Sequence, residues 1–285
     1  MIQVRFWGVR GDIAVPGPET IHYGGNTLCT TVTDVQDALC ILDAGTGLTA
    51  LGRERMATVG RDQALFLVSH SHWTHTQGIG FYAPFFVRGN TYAFYGLGTD
   101  ELGFRGFLEA QLAPALSPLH TLNHLVAELA FHEPTGEPLA WGSMTIHPYP
   151  TWRGPGAPAD ETWQCGRPVA YRLSQPDRSL VYLPRMEDPA GQCWERLVAF
   201  CRNADVLIHG AYHDGASGQD GTGHTSARSA VRLAQQAGVR QLVLTCYNPL
   251  HDDEAIDQMV DMCRALAGNS PLQITGAWEG LVLTF

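Results

Sequence analysis

Charge is scarce in this chain. Charged residues occupy 16% of its 285 positions and hydrophobic residues 45%, the opposite of the balance that leaves a chain disordered. Lysine plus arginine total 18 and aspartate plus glutamate 28, for a formal charge of −10. That acid excess argues against a general nucleic-acid or anionic-membrane binder, because phosphate surfaces need compensating cations. No CxxC pair occurs among the seven cysteines, Cys29, Cys40, Cys165, Cys193, Cys201, Cys246 and Cys263. Their odd number fits mostly buried thiols in a reducing compartment, and neither a disulfide scaffold nor a zinc ribbon. No apolar run approaches the ~20 residues that span a bilayer. The segment MIQVRFWGVRGD has no apolar h-region, so a soluble cytoplasmic protein without a signal peptide is expected. A Gly-x-x-x-x-Gly-Lys loop is absent, which disfavours an NTPase. Ser69 and Ser71 lack a Gly-x-Ser-x-Gly elbow, which disfavours a serine hydrolase. Gly96-Leu97-Gly98 is too short to read as a dinucleotide fingerprint. No linker, repeat or low-complexity segment divides residues 1–285, so one compact α/β domain is expected.

What is present is a mixture of short strands and helices. Ile2–Trp7, Thr27–Thr33 and Ala38–Leu42 read as strands, with a Gly/Pro-rich loop from Gly11 to Gly25. Ala64–Val68 is a continuous apolar run, as in a strand buried on both faces. Leu102–Leu116 reads as helical. Met144–His147, Val169–Leu173, Ser179–Leu183, Val206–His209 and Gln241–Leu244 read as strands. Thr151–Gly166 reads as an exposed loop. Glu195–Arg202, Thr225–Ala237 and Asp253–Leu266 read as helices, and Leu272–Phe285 as a final strand pair. In the second of these helices Ala227, Ala230, Val231, Ala234 and Ala237 form one stripe, with Gly238 at the capping position.

The chain has 12 histidines, a count that raises the question of metal. Three of them stand in Ser69-His70-Ser71-His72-Trp73-Thr74-His75, directly after the apolar strand. Loops at strand ends are where α/β folds place sites. Imidazoles two and five apart in a tight loop can converge on one ion, and three histidines plus water form a recognised zinc arrangement.

These residues resemble the metallo-β-lactamase superfamily, whose hallmark is H-x-H-x-D-H after a buried strand. The resemblance is closer to its phosphodiesterase branch, which includes cyclic-phosphate phosphodiesterases and, more remotely, tRNase Z enzymes. It rests also on Phe6-Trp7-Gly8-Val9-Arg10-Gly11, on Pro16-Gly17-Pro18-Glu19-Thr20, and on Tyr23-Gly24-Gly25-Asn26-Thr27. Leu42-Asp43-Ala44-Gly45-Thr46-Gly47 and Gly223-His224-Thr225-Ser226-Ala227 extend it. The resemblance implies a four-layer αβ/βα sandwich, with two mixed sheets flanked by helices and the site at one edge between them. It also implies that Asp43 supports the metal histidines, and that His224 contacts a scissile phosphate or assists a leaving group.

The implied dinuclear metal set is incomplete. His70, His72 and His75 hold family ligand positions, but the partner aspartate of His75 is Thr74, a poor substitute on a hard cation. The next histidine position falls on Thr151 by strand register, with His147 a shifted match. Arg185 stands at the bridging aspartate and Cys246 at the final histidine. Repulsion between a guanidinium and a nearby dication amounts to several kcal/mol even at an effective dielectric of ~20. Glu187 or Asp188 offers Arg185 a partner. His209 and His213 fall near the expected site edge, whereas His120, His124, His132 and His251 lie outside any motif.

Three readings stay open. The first is a metallo-β-lactamase-fold protein of phosphodiesterase ancestry with an eroded site, weak or inactive as a metal hydrolase. In it Arg185 with His70, His72 and His224, beside Thr74 and Thr151, binds a small phosphate-bearing or carboxylate anion. The second is an active hydrolase with one zinc on His70, His72 and Cys246 or His75. The third is a non-catalytic scaffold. Relatives in this superfamily are often homodimers, which leaves a homodimer open here.

Overall fold

The computed structural model describes residues 1–58, 60–99, 101–117, 121–151, 168–186, 191–215 and 224–285. The expected Thr151–Gly166 loop therefore lies, beyond Thr151 itself, outside the described residues. So do Cys165, Glu187, Asp188, His120 and Gly223.

The strands are β1 (Gln3–Gly8), β2 (Cys29–Thr33), β3 (Leu39–Leu42), β4 (Gln63–Leu67), β5 (Thr91–Tyr95), β6 (Glu128–His132), β7 (Leu139–Trp141), β8 (Met144–Pro150), β9 (Val169–Gln175), β10 (Arg178–Leu183), β11 (Val206–Gly210), β12 (Gln241–Thr245), β13 (Gln273–Gly276) and β14 (Val282–Thr284). The helices are α1 (Leu48–Thr58), α2 (Phe104–Gln111), α3 (Gln192–Cys201), α4 (Ala227–Gln236) and α5 (Asp253–Ala267). They build two sheets of seven strands, ordered β14-β1-β2-β3-β4-β5-β6 and β13-β12-β11-β10-β9-β8-β7. Each sheet is mixed. In the first, β3 to β6 run parallel and β1 pairs antiparallel with β2 and β14. In the second, β10 to β13 run parallel and β7 to β10 alternate in direction. This is the sandwich that the sequence motifs imply.

The apolar strands sort their side chains by parity. In β4, Leu65 and Leu67 enter the core between the sheets, while Ala64 and Phe66 enter the layer under α1 and α2. Both faces are buried, which is why the sequence runs apolar without alternation. On the far side, α3, α4 and α5 cover the second sheet. The expected stripe of α4 is buried throughout, Ser226 caps the helix by accepting from the Ser229 amide at 3.0 Å, and Gly238 follows at a φ of 66°. Among the described residues no helix is long and apolar enough to cross a membrane.

Two expectations need correction. Leu272–Phe285 is not a strand pair: β13 joins β12 and β14 joins β1, in different sheets. The connection crosses between them, with Ala277 donating to Leu244 O and Gly280 to Phe6 O, both at 2.8 Å. The helix expected over Leu102–Leu116 is confined to α2, since Gly103 precedes it and the chain turns after Leu112. The helix α1 gave no sequence signal because it buries only Leu48, Leu51 and Gly52.

Arg10 ties the N-terminal motif to the opposite end of the chain. Its side chain is fully buried. Nε donates to Gly24 O at 2.8 Å, Nη1 to His251 O at 2.5 Å, and Nη2 lies 3.6 Å from Asp253 Oδ1. An Arg10→Ala substitution removes the donors of two carbonyls and the cation beside Asp253, so a loss of about 3 kcal/mol in urea unfolding is expected. A loss under about 1 kcal/mol would show that this clip is not a structural requirement.

Candidate functional site

The site forms where the C-terminal ends of parallel strands from both sheets meet. Asp43 follows β3, the histidine loop follows β4, Arg185 follows β10, Tyr212 follows β11 and Cys246 follows β12. Asp12 comes from the loop after β1, and His224 from the approach to α4. Side chains distant in sequence converge here because parallel strands end on one edge.

Asp43 is the centre of the inner layer. It is fully buried and adopts a left-handed φ of 57°. Its Oδ1 accepts from the Ser69 amide at 2.7 Å; its Oδ2 accepts from Ser69 Oγ at 2.8 Å and from the Tyr182 hydroxyl at 2.7 Å, and lies 2.9 Å from His75 Nδ1. Burial, and then the Asp43 charge, push the Tyr182 phenol far above its ordinary range, so it stays a donor. The carboxylate orients the His75 ring through its contact with Nδ1. Asp43 thus touches the histidine loop at Ser69 and His75.

The three loop histidines form one cluster. The His70 and His72 rings lie nearly parallel at a centroid distance of 6.1 Å, and the His75 ring stands edge-on to His70 at 5.8 Å. His72 Nδ1 lies 3.1 Å from Thr74 Oγ1, so the residue at the missing aspartate steadies a neighbouring ring. Partial burial, and then the positive charge of Arg185, lower the His72 pKa below its ordinary value. Arg185 therefore faces this cluster.

A second group closes the other side. Asp12 Oδ2 accepts from the Tyr212 hydroxyl at 2.5 Å, while Oδ1 lies 3.3 Å from His224 Nε2 and 3.9 Å from Arg185 Nη1. The His224 and Tyr212 rings stack at 3.6 Å with planes 13° apart. Hydrogen bonding from His224, then from Tyr212, with the His224 and Arg185 charges, outweighs burial and holds the Asp12 carboxyl far below the usual carboxylate range. Sequence reasoning gave no role to Asp12, Tyr212 or Tyr182, although Tyr212 stands between His209 and His213 near the expected site edge. The one available signal was a tyrosine inside the apolar run Leu180–Leu183, since a buried phenol needs a partner.

Cys246 sits at a left-handed φ of 56°, buried beside Arg185, and burial pushes its thiol up to about 12. It is a neutral thiol at physiological pH, whereas the zinc ligand is the thiolate. Thr151 is buried with its hydroxyl donating to Pro168 O at 3.0 Å and lying 3.4 Å from Arg185 O. His147 is exposed on β8, of opposite parity to the buried Met144 and Ile146, so it does not replace a ligand at Thr151. His209 is buried in β11 with Nδ1 2.7 Å from Gly210 O. His213 bridges to Ser226, His124 caps a short 3-10 turn, His132 stacks on Tyr95 and His251 adjoins Arg10.

The donor set does not fit the two-metal centre that the fold implies. A hydroxyl and a guanidinium stand where carboxylates are needed to balance two dications, and the cysteine is neutral. Among the described residues no group of three or more His, Cys, Asp or Glu is arranged to hold a metal ion, so His70, His72, His75 and Cys246 do not come together as one.

A family model described as a beta-lactamase superfamily domain matches residues 40–247. Ribonuclease Z of Thermoplasma acidophilum is 41% identical over 64 residues, 22% of this chain and 21% of the relative. Ribonuclease Z of Brevibacillus brevis is 32% identical over 83 residues, 28% of this chain and 24% of the relative. The chain thus aligns with about a quarter or less of their length. Among solved structures, the metallo-β-lactamase fold protein YhfI from Bacillus subtilis superposes with a TM-score of 0.67 at 20% identity, covering 100% of both chains.

The proximity of Arg185 to His72 makes a spectroscopic prediction. In an NMR titration His72 should protonate below the ordinary value of 6.5, and Arg185→Gln should raise that midpoint. Because the unfolded chain binds this proton at higher pH, the stability held by neutral His72 is complete above the ordinary range and declines as pH falls through it. A midpoint unchanged in Arg185→Gln would place the guanidinium away from the cluster.

Proposed function

The chain belongs to the metallo-β-lactamase superfamily, and from that premise we propose that it derives from the phosphodiesterase branch and that its pocket binds a small anion instead of supporting two-metal hydrolysis. The ligand carries a phosphate or carboxylate group. Arg185 supplies a permanent cation with forked N–H donors, and His70, His72 and His224 supply further polar contacts.

One observation carries the reading: the Arg185 guanidinium lies inside the site, 3.9 Å from Asp12, and its charge adds to the burial that lowers the His72 pKa and partly offsets the burial that raises the Cys246 thiol. Two-metal hydrolysis needs carboxylates to hold the ions and position a bound hydroxide. Thr74, with its hydroxyl beside His72, and Arg185 supply neither. A low rate or none with phosphodiesters is the consequence.

Titration calorimetry of the purified protein with inorganic phosphate, in the presence of EDTA, tests the reading. Binding should persist without metal and weaken about tenfold or more in Arg185→Gln, the scale of one lost charge-assisted contact. Stoichiometric zinc that is lost in Cys246→Ala, together with turnover of bis-p-nitrophenyl phosphate, would replace this reading with that of a mononuclear zinc hydrolase.

A further inference from the structure

The pocket already contains an anion of its own. The Asp12 carboxylate faces the donors that an incoming anion would use, with one oxygen 3.3 Å from His224 Nε2 and 3.9 Å from Arg185 Nη1. Its side chain is 32% exposed, against 14% for Arg185 and 9% for His224. The carboxylate is therefore more exposed than the two donor groups it faces.

This placement is held against backbone preference. Asp12 has a φ of 52°, and the Ile13 amide donates to Gly11 O at 2.7 Å across it. That is a tight three-residue turn in the left-handed region, which L-residues adopt at a cost. Gly11 makes the approach possible: a Cβ there would lie 3.1 Å from the Tyr212 ring and 3.2 Å from Cys246 Sγ. Gln77 Nε2 donates to Asp12 O at 3.0 Å from the histidine-loop side. Strained residues persist where the surroundings over-determine them, and they concentrate at functional sites.

We propose that Asp12 is the specificity-determining residue of the pocket, a resident counter-ion that a ligand displaces from His224 and Arg185 on binding. The inference rests on the anion-binding reading and narrows it. Exchanging one carboxylate for another gains no charge, and a phosphodiester is likewise a monoanion. A phosphate monoester approaches a dianion at neutral pH and offers three acceptor oxygens. The site therefore selects phosphate monoesters over carboxylates and phosphodiesters.

The test is a calorimetric comparison of wild type, Asp12→Asn, Asp12→Ser and Arg185→Gln with phenyl phosphate, diphenyl phosphate and acetate, in EDTA. Wild type should prefer phenyl phosphate. Removing the Asp12 charge should tighten phenyl phosphate about tenfold and bring acetate and diphenyl phosphate into the measurable range. Asp12→Ser carries the result if Asp12→Asn does not fold. The wild-type protein gives an independent reading, because the Asp12 carboxyl carbon resonance should shift as phenyl phosphate saturates the site. Unchanged or weaker binding in the folded Asp12 variants, or a resonance that does not move, overturns the inference while leaving Arg185-dependent binding intact. Absence of any Arg185-dependent binding overturns both the inference and the anion-binding reading.

Discussion

A single buried carboxylate holds the two halves of this molecule in register at the site. Asp43 is withdrawn from water, which is costly for a charge unless donors replace its hydration. Ser69 gives it an amide and a hydroxyl, and His75 a ring nitrogen, all from the loop after β4 in the first sheet. Tyr182 gives a phenol from β10 in the second. Each donor is itself buried and needs this acceptor. The left-handed turn at Asp43 aims the carboxylate between the sheets, and Gly45 lets the following loop lie against Thr27 and Leu28, where a Cβ would collide at 2.4 Å and 2.7 Å. The histidine loop is therefore held by contacts within the protein that do not involve Arg185.

That independence explains how the pocket can change character while the scaffold does not. The carboxylate that organises the loops is retained at Asp43, and the carboxylates that the family resemblance assigns to metal are replaced by Thr74 and Arg185. The chain contains no lysine, and all 18 of its basic side chains other than histidine are arginine. A guanidinium cannot shed its charge to suit a buried position. The acid excess of the whole chain says nothing about this interior, where the sign of the local charge is set by Arg185 and Asp12.

Most of the fold was legible because its motifs sit at turns where backbone geometry restricts the residue: the Asp43 to Gly47 turn, the loop after β4, and the capped stripe of α4. The partition of β13 and β14 between two sheets was not, since adjacent strands in sequence ordinarily pair and the crossing depends on distant carbonyls. Within the site, His70, His72, His75 and Arg185 could be placed by motif. Thr151 and His147 could not be told apart until the register of β8 put one inside and the other outside. Asp12 escaped because an aspartate in a Gly/Pro-rich loop reads as an ordinary turn residue. Its meaning arises only from a left-handed turn that meets Tyr212 and His224, about two hundred positions away in the chain.

Asp12 and Arg185 are best understood as one adaptation. Arg185 is 14% exposed, so its charge is partly desolvated and gains from a nearby carboxylate. Asp12 is drawn into a strained turn, which needs a compensating interaction at the pocket. The two charges face each other at 3.9 Å, and Tyr212 and His224 hold the carboxylate there as well. A guanidinium alone at the bridging position would leave a cationic hole open to any anion in the cell. With Asp12 facing it, that hole yields only to a ligand whose charge exceeds that of the carboxylate already there. On the anion-binding proposal, selectivity in such a pocket comes from the competitor built into the chain.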